Sequence, residues 1–140
     1  MMISTTQMLY CLVSGGVYLV LISLLLEFLS RSTDLTKGIP PVMVEKITAG
    51  WWVLLLVMEF LFYVAIPTVS YSFFYLVVPF SGVRAGLAAT LYAFVLGAVP
   101  MIMALSVRVK FPMPYLLFLL LGFLLKLGGA LAIIGYLYTL

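Results

Sequence analysis

Two ionisable residues, Glu59 and Lys126, lie deep inside long apolar runs. A charge at the centre of a bilayer costs about 2.5–3.5 kcal/mol on insertion scales, so such residues usually face the interior of a bundle and mark function. Their depths agree. At 1.5 Å per helical residue, Glu59 falls roughly 15 Å past Ala49 and Lys126 roughly 17 Å past Tyr115. If both runs start from one side of the membrane, the two groups reach one level, where each neutralises the other. The spacing therefore predicts a buried ion pair joining the second and fourth apolar runs. Gly122, Gly129 and Ala130 share the Lys126 face at three- and four-residue spacing, so a neighbouring helix can come close there.

Such a pair could relay protons or ions, or anchor a polar ligand. It could equally fix helix register, or each charge could meet a group on another protein. Composition leaves all of these open. Glu27 is near the end of the first run and is expected to reach the interface. Arg84 caps the opposite end of the third run and is expected to meet lipid headgroups. Gly82 and Gly86 form a GxxxG, continued by Ala89, Ala93 and Gly97. That stripe predicts close helix packing, with a helix of this chain or of another. Gly15 and Gly16 play the same part in the first run. The aromatic stretch 71–80 reads as an interfacial belt rather than a docking surface.

The chemistry that is missing narrows the field. Histidine is absent, which removes imidazole from any metal, haem or acid–base site. The single cysteine, Cys11, can form no intrachain disulfide. No phosphate-binding glycine loop, nucleophile–base pairing or cysteine metal pattern is present. The sequence calls for no metal and no cofactor, and an enzyme is not expected.

The elements that must position Glu59 and Lys126 follow from composition. The chain has 140 residues, 66% hydrophobic and 8% charged, against about 25% charged in soluble domains. A soluble globule this small could not hide that much apolar surface. An all-α integral membrane protein is therefore expected: one transmembrane domain over 1–140, a bundle of four transmembrane helices. The spans read as 8–29, 49–66, 83–107 and 115–138. Pro67 should kink or end the second, leaving 68–78 either as a kinked extension or as a surface half-helix. Pro100 should kink the third. The first run is not read as a cleavable signal, since no Lys or Arg precedes it.

Basic residues set the orientation. Arg31, Lys37 and Lys46 follow the first run and Arg108 and Lys110 the third, while the opposite side holds Arg84. Short loops rich in Lys and Arg stay cytoplasmic, so both termini are predicted outside, in the cell (inner or plasma) membrane. Trp51, Trp52 and Tyr115 at inner ends, with Tyr10, Tyr136 and Tyr138 at outer ends, fit interfacial belts. A faint echo links Leu29-Ser30-Arg31 before Pro40-Pro41 with Leu105-Ser106 and Arg108 before Pro112. Hydrophobic hairpins resemble each other by composition alone.

The net charge of +3 is too sparse for a nucleic-acid footprint. Expected partners are membrane lipids and either other membrane-protein subunits or further copies of this chain. The leading expectation is a small non-catalytic accessory or structural subunit of a larger membrane protein complex. The alternative is a small oligomeric transporter or channel using Glu59 and Lys126, with Ser14, Ser23, Thr90 and Tyr92 as further polar lining. An enzyme acting on a lipid-soluble substrate comes third.

Overall fold

The computed structural model describes residues 5–33, 39–40, 42, 48–70 and 82–138. Among them all regular structure is helical. Four helices are long and apolar enough to cross a membrane: α1 Thr5–Ser32, α2 Ala49–Ser70, α3 Val83–Arg108 and α4 Met113–Tyr138. The stretch 71–80, and the loop charges Asp34, Lys37, Glu45 and Lys46, lie outside the described residues.

Local chemistry fixes the helix ends. Thr48 sits extended before α2, and its hydroxyl accepts the Trp51 N–H at 3.2 Å, satisfying one of the orphan donors of the first turn. Gly82 takes φ 66° ahead of α3, a conformation that a residue with a Cβ adopts only with strain. The Pro112-Met113-Pro114 run opens α4, since a proline in the first turn gives up a hydrogen bond that would not form anyway.

Helix α2 does not stop at Pro67 but runs through it to Ser70, and the rest of the stretch 68–78 lies outside the described residues. A proline inside a helix lacks a donor, and its ring presses on the carbonyl one turn back. Widening the preceding turn relieves this. The π-helical turn Leu61–Ala65 does so, with the Ile66 N–H reaching back five residues to the Leu61 carbonyl. Pro100 is accommodated in the same way by Phe94–Ala98, where the Val99 N–H bonds the Phe94 carbonyl. Each proline stands two residues beyond its π-turn.

Contacts give the register. Helix α1 runs antiparallel to α4, with Tyr18 meeting Leu125 and Gly122 meeting Leu26. It also runs antiparallel to α2, where Gly15 lies against Val64 and Gly16 against Phe60. Helices α2 and α4 are parallel, joined at Glu59–Lys126 and Thr68–Tyr138. The core between these three is apolar: Leu19, Val64 and Ala130 form one cluster, and Cys11, Leu127, Leu131, Ile134 and Tyr138 another.

Helix α3 stands apart. Its close backbone approaches are to α4, with none to α1 or to the Ala49–Ala65 part of α2. Of its apolar window 6% is buried, against 33% for α4. Close backbone packing thus joins α1, α2 and α4 to one another and α3 to α4.

Candidate functional site

Three helices bring polar groups to one level near the middle of the core. Glu59, on the last α-helical turn before the π-turn of α2, turns its carboxylate between α1 and α4. The Lys126 ammonium of α4 donates to Glu59 Oε1, and the Ser23 hydroxyl of α1 donates to Oε2 at 2.8 Å. The two charged side chains are 14% and 13% exposed, so the pair is largely withdrawn from its surroundings. Both carboxylate oxygens are thus bonded, one by each neighbouring helix. Among the described residues no buried side-chain oxygen or nitrogen lacks a partner, as a polar group in an apolar medium requires.

Glu27 stands near the end of α1. It is half-buried, and the charges of Lys126, Arg31 and Glu59 all act on it. It lies one turn beyond Ser23 on the same face of α1, and Arg31 one turn beyond that. Beside Glu27, a Cβ at Gly122 of α4 would meet Leu26 Cδ1 at 3.7 Å, an ordinary contact between the two helices.

Next to the charges lies an aromatic bridge. Tyr63, one turn past Glu59, meets Phe123 of α4 edge to face, with centroids 5.9 Å apart. Phe123 also lies 6.3 Å from Phe94 of α3. Tyr63 is in one π-turn and Phe94 opens the other, so Phe123 links the two widened turns across α4.

The small residues divide. Gly86 packs directly beneath the Leu131 carbonyl, Gly129 beneath the Tyr18 ring, and Gly128 against Thr90. Ala130 is fully buried, and Ala89 and Ala93 rest on the Cys11–Ile134 cluster. Gly82 caps α3 and is half-buried. A methyl group added at Gly97 would have nothing within 4 Å among the described residues. In a regular helix Gly97 would continue the Gly86 face, but the intervening π-turn adds a residue to that turn and swings it away from α4.

The remaining polar residues do not gather. Arg84 is exposed. Thr90 bonds the Gly86 carbonyl one turn back at 2.8 Å, and Tyr92 is 54% exposed on the outer side of α3. Tyr138 is not at the surface with Tyr136. It is 7% exposed and its hydroxyl donates to the Thr68 carbonyl at 3.0 Å, because the parallel course of α2 and α4 brings their ends together.

Sequence spacing placed Glu59 and Lys126 at one depth. It assigned Ser23 no role as their partner, although its position one turn before Glu27 was a usable signal. No protein family, no curated protein and no solved structure matches the chain.

Proposed function

We propose that this chain is a non-catalytic membrane subunit, accessory or structural, of a larger membrane protein complex in the cell membrane, with both termini outside. One observation carries the reading: the close backbone approaches of α3 are to α4, with none to α1 or to the Ala49–Ala65 part of α2, and within its π-turn Gly97 meets nothing within 4 Å among the described residues, beside Leu96 and Met101, which are 76% and 71% exposed. Membrane helices associate where a small residue lets backbones approach, and Gly97 offers such a notch on a helix with most of its surface free. The Glu59–Lys126–Ser23 cluster then serves to lock the α1–α2–α4 core that presents α3.

The test is the mass of the assembly extracted gently from its own membrane, with every co-purifying chain identified. A stoichiometric larger partner supports the subunit reading. A homo-oligomer of this chain alone shifts the weight to the second reading, a small oligomeric transporter. That reading is favoured by polar and ionisable groups from three helices meeting inside the membrane. Solute flux in liposomes no greater than that of empty vesicles would count against it.

A further inference from the structure

The buried part of the polar cluster is unbalanced. Glu27 and Glu59 bring two negative charges and Lys126 one positive, which leaves one negative charge among half-buried groups. Arg31, one turn further along α1, is exposed at the helix end. Glu59 has both oxygens engaged, one by Lys126 and one by Ser23. Glu27 has no ion pair within 4 Å among the described residues. The oxygens left for a ligand are those of Glu27, too few to coordinate a metal ion, whereas a proton needs one.

Geometry also supplies a route. Ser23, Glu27 and Arg31 stand at successive four-residue steps on one face of α1, a polar line of roughly 12 Å from the Glu59–Lys126 pair to the helix end. In the other direction the pair is closed off by Leu19, Val64 and Ala130, with exposures of 1% or less.

We propose that Glu27 is a proton-exchanging site reached from the Arg31 end of α1 alone, on a dead-end path that stops at the Glu59–Lys126 pair. A hydronium ion at that end gives up a proton and is left as water, the Glu27 carboxylate becomes a carboxylic acid, and the surplus negative charge of the cluster is cancelled. Deprotonation returns the proton to the same side. The charged groups around Glu27 are Arg31 on its own helix, Glu59 on α2 and Lys126 on α4. Proton exchange at this cluster does not depend on whether α3 binds a partner.

Infrared difference spectroscopy of the full chain in uniformly oriented vesicles tests it. An acid pulse on the Arg31 side should raise a carboxylic-acid carbonyl band in wild type. That band should be lost in Glu27→Gln and kept in Glu27→Asp, and it should need a stronger acid pulse in Glu59→Gln, where Lys126 alone balances Glu27. A pulse on the opposite side should raise no band while the vesicles hold their gradient. Persistence of the band in Glu27→Gln, its rise at an unchanged acid pulse in Glu59→Gln, or an equal response from both sides would each overturn the proposal. Retention of the band in Glu27→Asp separates loss of the site from loss of the fold.

Discussion

The Ser23 hydroxyl holds the Glu59 carboxylate at 2.8 Å, so the oxygen that Lys126 leaves unused is bonded by a third helix. The charge pair between α2 and α4 is thereby tied to α1. Replacing Ser23 with Ala removes the donor to that oxygen and strands half of a charged group in an apolar core. Interhelical hydrogen bonds in membranes are worth about 0.6–2 kcal/mol. Ser23→Ala should lower unfolding stability in bicelles by that amount. An unchanged stability would mean that Ser23 and Glu59 do not depend on one another.

The pair itself should show strong coupling. Removing one partner of a buried ion pair costs about 3–5 kcal/mol because the other charge is left uncompensated, whereas an apolar replacement of both is often close to neutral. Glu59→Gln should therefore destabilise the protein. The double variant Glu59→Gln, Lys126→Met should recover much of that loss. A double-mutant cycle in detergent measures the coupling, and a double variant no more stable than Glu59→Gln would remove support for the pair.

Much of this was legible in the residues, and the physical reason differs from case to case. Apolar run length pointed to four spans because the hydrocarbon core demands it, and helix rise put Glu59 and Lys126 at a common depth. What run length cannot give is which helices touch. The close seam of α3 with α4 at Gly86 and the Leu131 backbone is a matter of three-dimensional packing. The same holds for Gly97: its small-residue spacing from Gly86 is regular, and only the π-turn before Pro100 turns it outward. Prolines mark kinks in a sequence, but not whether the preceding turn widens to carry the helix onward, as it does at Pro67.

That division of the α3 glycines separates folding from assembly. Gly86→Leu would force a side chain into the Leu131 backbone, which has no room to yield, and should detach α3 from α4. At Gly97 an added Cβ meets nothing within 4 Å among the described residues, so Gly97→Leu should leave thermal stability of the isolated protein unchanged. If α3 is the docking helix, Gly97→Leu should instead abolish co-purification of the partner. Full recovery of the partner with Gly97→Leu would move the proposed interface off this part of α3.

Tyr18 seats α1 on α4. Its hydroxyl donates to the Leu125 carbonyl at 2.7 Å, and its ring end fills the space where a Cβ at Gly129 would stand. Tyr18→Phe loses only the hydrogen bond, a change of about 1 kcal/mol or less in a membrane. Gly129→Ala collides with the ring itself, breaking that bond and the packing together, and should cost more than Tyr18→Phe. The obstacle is the far end of a side chain rather than backbone, so it can be removed. In a Tyr18→Ala background the added cost of Gly129→Ala should therefore shrink towards zero. Stability measured across the four proteins of this cycle checks it: equal costs of Gly129→Ala in both backgrounds would mean that the glycine answers to something other than the Tyr18 ring.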